Sequence, residues 1–191
     1  QLKMHAKGLH NSRMKNYAPV VTREVEDWIA SWDDEGEMDF VEAFADLTIK
    51  TSTHCLLGEQ FRYTLTGEFA ELYHELGAAT TAEATADTSA GQAGDIARQR
   101  LEDLISERVQ ARRDSDEQYE DMLQLYMEAT YLDGSKLTDK EIAGMVIWFM
   151  FAGHHTSANA AAWMMVELAR HPQYAREIRD EIDKVYAEKG G

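Results

Sequence analysis

Leu137 to Arg170 reads LTDKEIAGMVIWFMFAGHHTSANAAAWMMVELAR, and the reading of this stretch decides the fold. Thr138 and Glu141 stand at capping-box spacing: the Thr138 hydroxyl can accept the Glu141 amide while the Glu141 carboxylate reaches back to the Thr138 amide. A helix starts here. From Ile142 to Gly153 nearly every side chain is apolar, which predicts a helix buried all round, without a solvent face. The run is too short to span a bilayer. About 33 residues at roughly 1.5 Å each make a rod on the order of 50 Å, long enough to cross a whole domain.

Midway along the rod lies Ala152-Gly153-His154-His155-Thr156-Ser157, which propensity alone would not put inside a buried helix. Gly153 costs about 1 kcal/mol against Ala there, and offers in return a surface on which a flat ligand or another backbone can come close. Thr156, three residues on, lies on nearly the same face, where its hydroxyl can bond the carbonyl one turn back or yield that carbonyl to a guest. Spacing leaves two readings open: a ligand site, or a tight helix crossing at Gly153 with Thr156 satisfied locally. His154 and His155 are about 100° apart around the axis, which disfavours joint ligation of one metal. A core histidine is the commoner case.

With 191 residues, 44% hydrophobic and 28% charged, the chain can bury one real core and is not disordered. A net charge of -16 argues against binding a phosphate backbone, so nucleic acid is not an expected partner. No signal peptide or anchoring stretch is visible, and the expectation is a soluble, cytoplasmic protein with no transmembrane segment in these residues. One cysteine excludes an internal disulfide and a cysteine-based zinc site. Cys55 falls on an apolar helical face with Val41, Phe44, Leu47, Thr48, Thr51 and Leu56, where a thiol is packing; Gly58 is the expected stop.

Other segments read as helices too. Gln1 to Tyr17 carries Lys3, Lys7, Arg13 and Lys15, either a solvated face or a seat for carboxylates or phosphates. Pro19 suits the first turn of a next helix, whose Val21, Val25, Trp28, Ile29 and Trp32 recur at helical spacing, with Trp28 and Trp32 as core. Phe69 to Leu76, Ile96 to Val109, Tyr119 to Met127 and a last helix opened by Pro172 follow, the last with Ile178, Ile182 and Val185 on one flank. Between them, residues 77–94 hold no apolar side chain larger than alanine, which predicts a polar loop or a marginal helix. The fold class is all-α: one domain or partial domain over 1–191, an irregular bundle around one long buried central helix.

Ala152-Gly153-His154-His155-Thr156-Ser157 resembles the oxygen-activating segment of the cytochrome P-450 monooxygenases, whose usual pattern is Ala/Gly-Gly-x-Asp/Glu-Thr-Thr/Ser. His155 in the acid position, within FMFAGHHTS, is similar to the sterol 14α-demethylases, bacterial ones most of all. Met14 to Ala18, Phe44 to Ile49, Cys55 to Gly58 and Phe69 to Leu76 fit that family in the same order, and the likeness covers Gln1 to Leu76 and Asp121 to Glu188. The resemblance implies a haem cofactor whose thiolate ligand is not in this chain, since the family's Phe-x-x-Gly-x-x-x-Cys-x-Gly loop and Glu-x-x-Arg helix are not in these residues. It implies that Thr156 donates a hydrogen bond to dioxygen and that His155 relays protons in place of the acid. Ala152, Gly153 and Thr156 would border the haem, with His5 matching a histidine that contacts a haem propionate. Gln1 stands where the family has a second, cationic contact. Phe151, Ala152 and His155 would line the substrate pocket, and 77–94 would take the place of the family's aromatic lid.

The expected function is therefore that of a segment of a sterol 14α-demethylase-like monooxygenase, using dioxygen, a sterol-like small molecule and a ferredoxin or flavoprotein redox partner. A different class stays beside it: a non-catalytic helical scaffold or binding module that binds no haem by itself. Haem ligation by His154 or His155 is the least favoured reading, because one imidazole leaves the opposite haem face unsupported.

Overall fold

The computed structural model describes residues 11–80, 88–115 and 117–189. His5 and Gln1 lie outside the described residues. Among those described there are eight helices and no strand: α1 Asn11–Ala30, α2 Phe40–Leu57, α3 Glu59–Thr64, α4 Thr66–Ala79, α5 Thr88–Arg113, α6 Met122–Glu128, α7 Asp139–Arg170 and α8 Pro172–Lys189. The class is all-α, as the spacing of apolar residues predicts.

The central helix α7 begins at the expected box. The Glu141 amide donates to Thr138 Oγ1 at 3.3 Å and the Thr138 amide to Glu141 Oε2 at 2.8 Å. Its first three turns are enclosed by α2, α5 and α6, so that Ile142, Ala143, Met145, Val146 and Ile147 are all buried. Enclosure on every side ends there, short of Gly153. Trp148 is 56% exposed and Ala152 and Gly153 face outward, because no described element covers that flank. An aromatic ladder leads from the core to the helix: Phe61 and Phe69 meet edge-on at 5.4 Å, Phe69 stacks on Tyr73 at 6.0 Å, and Tyr73 meets Phe151 at 5.9 Å.

The polar stretch 77–94 is helical at both ends, since α4 runs on to Ala79 and α5 starts at Thr88. Small side chains are the reason. A methyl group added at Gly94 would collide with Cβ of Ala79, so α4 and α5 cross there at a distance that only a Gly–Ala pair permits. What looks in sequence like too little apolar surface to order a helix is the means of close packing.

Helix α1 departs from expectation in three ways. It is continuous from Asn11 through Pro19, which therefore sits inside it; the carbonyl that a proline leaves unbonded lies on an exposed face where water can reach it. Trp32 is not core but 44% exposed, and only Trp28 is half-buried, at 5.4 Å from Phe44. The one buried side chain of α1 among the described residues is Glu24. Arg62 donates to it from Nε and Nη2, both at 2.8 Å, and His54 Nδ1 donates at 2.8 Å. Burial alone would raise the Glu24 carboxyl; the hydrogen bonds from Arg62 and His54 and their charges overcome this and hold it below the usual value.

Gly58 ends α2 at φ +90°, and a side chain there would press on Asp121 Oδ2 at 2.9 Å. Beside it Arg112 is buried, paired with Asp121, bonded to the Leu57 carbonyl at 2.8 Å and seated 4.0 Å over the Tyr119 ring. Tyr119 thus lies outside α6, which starts after the cap Asp121. The short helix α3, absent from the sequence reading, carries Arg62 to Glu24.

Candidate functional site

From Trp148 onward α7 has two faces. Met150, His154, Ala158 and Ala162 form the buried row, four residues apart, while Trp148, Ala152, Gly153, Thr156, Trp163 and Met164 look outward. A Cβ placed on Gly153 would meet nothing within 4 Å, so there is no tight crossing and the bare backbone faces open space. Thr156 Oγ1 donates to the Ala152 carbonyl at 2.8 Å, with the Gly153 carbonyl at 3.4 Å. The hydroxyl is thus satisfied locally on an exposed face, where it can turn to a guest at the cost of one weak bond.

The two histidines part company. His154 is fully buried, with Nδ1 3.0 Å from Thr48 Oγ1. Thr48 already donates its proton to the Phe44 carbonyl at 2.8 Å, so it accepts here and His154 carries its proton on Nδ1. Burial, with His155 and His74 beside it, pulls the His154 imidazolium down to about 4, and the ring stays neutral at ordinary pH. His155 is half-buried, stacked on Tyr73 at 6.2 Å and edge-on to Phe151 at 5.5 Å. Burial and then His74 lower it as well. The atoms Tyr73 OH and His154 Nε2 are buried without a partner among the described residues.

Two cavities flank Phe151. One, of about 320 Å³, is a groove between α4, α5 and α7 lined by Leu76, Thr80, Arg98, Ile147, Trp148, Phe151 and Ala152 over Gly144. The other, of about 390 Å³, is lined by His74, Gly77, Ala78, Thr80, Phe151 and His155. Of the residues singled out in sequence, Phe151 and Ala152 share the groove, and Phe151 and His155 share the second cavity. Gly153 and Thr156 stand on the open face beside them. His155 and Thr156, adjacent in the chain, point to different sides of the rod.

The cytochrome P450 family model matches residues 2–190. The chain belongs to the cytochrome P450 family. Among its P450 relatives, the sterol 14alpha-demethylase of Mycobacterium tuberculosis is 36% identical over 97% of this chain and 43% of that protein. The human lanosterol 14-alpha demethylase is 36% identical over 89% of this chain and 34% of its own length. The chain thus spans less than half of the curated relatives it matches. A retinoic acid-bound cyanobacterial CYP120A1 superposes with TM-score 0.83 at 17% identity, over 95% of this chain and 42% of that one. A cytochrome P450DA heme domain does so with 0.79 at 21%, over 96% and 42%. These two show the helical fold.

The P450 cofactor is haem, and the described residues fit one side of it. Ala152, Gly153 and Thr156 are exposed, and the space beyond Gly153 is open, which leaves room for a flat ring system. Burial, and then the Glu24 charge, push the thiol of Cys55, the chain's one cysteine, up to about 12. No group of three or more His, Cys, Asp or Glu side chains placed to hold a metal occurs among the described residues. No helix among them is long and apolar enough to cross a membrane. Sequence reasoning missed Thr48, Tyr73 and His74, which surround the histidine pair; a hydroxyl on the apolar face of α2 was the available signal for Thr48.

Proposed function

We propose that this chain forms the oxygen-side wall of a haem-thiolate monooxygenase of the sterol 14α-demethylase type. The observation that carries the reading is the open strip Ala152–Gly153–Thr156 beside an apolar groove, within a chain 36% identical to those demethylases. Haem, when bound, supplies the activation of dioxygen and the insertion of one oxygen atom into a C–H bond of the substrate.

The chain's own residues do the rest. Gly153 gives clearance for the ring plane, and Ala152 keeps that face small. Thr156 Oγ1 holds a proton at the rim, and by releasing the Ala152 carbonyl can donate it outward. His155, a neutral imidazole partly screened from water, stands one residue away as the proton carrier, reached from the cavity that His74 also lines. His154, locked to Thr48, anchors α7 on α2. Phe151 and Trp148 offer flat apolar surface that suits a rigid ring system such as a sterol. The electron donor would be a ferredoxin or flavoprotein that docks on the complete enzyme. The region 1–191 is then part of one catalytic domain, with 77–94 replacing the family's lid by a close helix crossing, and His5 remains the candidate for a propionate contact.

A chimera tests this: the 191-residue chain replaces the matching segment of the Mycobacterium tuberculosis demethylase. The expected product loads haem with a thiolate-type carbon monoxide spectrum, oxidises lanosterol, and loses turnover about 10²-fold or more in Thr156→Val. Haem loading without lanosterol oxidation would remove the sterol. A correctly folded chimera that loads no haem would overturn the reading.

A further inference from the structure

The groove between α4, α5 and α7 has apolar walls and one charged residue. Leu76, Ile147, Trp148 and Phe151 supply the walls, and the polar groups of the lining side chains are the Thr80 hydroxyl, the Trp148 indole N–H and the Arg98 guanidinium. The Thr80 hydroxyl donates to the Gly77 carbonyl at 2.8 Å and carries no charge. The charged donor facing the groove is the Arg98 guanidinium. Its Nε donates to Glu102 Oε1 at 3.2 Å, and the terminal amino groups have no hydrogen-bond partner among the described residues.

The charge at this end is not cancelled. The buried Glu102 carboxylate also faces Lys140 Nζ at 3.7 Å, so two cations share one anion and the trio carries a net positive charge. A guanidinium has donors only and pairs best with the two or three oxygens of a carboxylate or sulfate. The chain's overall negative charge acts from farther away and is screened over about 8 Å at physiological ionic strength. We infer that the groove takes a flat apolar molecule with an anionic end, a carboxylate or sulfate, and that Arg98 receives that end. This rests on the reading of the groove as a substrate site and adds to it a preference for an acidic ring system over a neutral one.

The test compares pregnenolone sulfate with pregnenolone, which share a ring system and differ in the anionic group. The full chain is titrated with each, following tryptophan fluorescence, with Trp148→Phe to assign the signal. The sulfate is expected to bind about fivefold tighter, a modest factor because Arg98 is 62% exposed at its side chain. Arg98→Gln should erase the difference while leaving the affinity for pregnenolone unchanged, and Arg98→Lys should keep part of it; far-UV circular dichroism verifies that both variants fold. Equal affinities in the wild type, or a preference that survives Arg98→Gln, would overturn the assignment of Arg98 and leave the groove as an apolar site. Binding of neither steroid would overturn the groove as a ligand site too.

Discussion

His154 shows how one buried side chain can fix both a tautomer and a pH dependence. The folded chain holds its imidazole neutral down to about pH 4, whereas a histidine in the unfolded chain takes up a proton near 6.5. Between those values the unfolded state binds more protons, so the stability is complete above pH 6.5 and falls as the pH drops toward 4. The loss attributable to this one residue is roughly 3 kcal/mol. Urea unfolding at several pH values should show this slope in the wild type and its removal in His154→Leu. Thr48→Val takes away the acceptor for the Nδ1 proton and should cost about 1 to 3 kcal/mol at pH 7, measured in the same way. The hydroxyl of Thr48 on an apolar face was visible in sequence but its partner was not: His154 sits 106 positions away, and only the packing of α2 on α7 joins them. The AGHHTS cluster itself was legible, because a glycine and a hydroxyl in the middle of a capped apolar helix conflict with everything around them.

At the scale of elements, two glycines make opposite forecasts. Gly94→Ala should destabilise the chain by about 1 to 3 kcal/mol, since its methyl meets Ala79 at the α4–α5 crossing. Gly153→Ala has space to enter and should raise stability by about 0.5 to 1 kcal/mol, the ordinary gain in a helix interior. Thermal melts of the two variants decide the matter. The docking of α1 gives another case: Glu24→Ala leaves Arg62 and His54 facing each other in a buried site and should cost about 3 kcal/mol or more in urea unfolding. Helix existence was readable nearly everywhere, because capping boxes and 3.6-residue periodicity are local. The attachment of α1 was not: its apolar stripe pointed to Trp32 and Ile29, while the contact that counts is ionic and uses residues from three helices. Likewise 77–94 lacked apolar bulk, and only the neighbour reveals that smallness serves close approach.

At the scale of the whole molecule, the bundle is closed on one side of α7 and open on the other. Beyond its enclosed turns α7 leaves Trp148, Gly153, Trp163 and Met164 all exposed, and large apolar side chains without a cover mark a surface that meets something else. Haemin titration followed at the Soret band, for the wild type and for Gly153→Leu, tests the strip most directly, with circular dichroism establishing that both are equally folded. The expected result is saturable binding by the wild type, quenching the tryptophans of α7, and at least about tenfold weaker binding by Gly153→Leu, the order of 1.4 kcal/mol. Identical titrations, or no saturable binding by the wild type, would contradict a porphyrin lying against this helix.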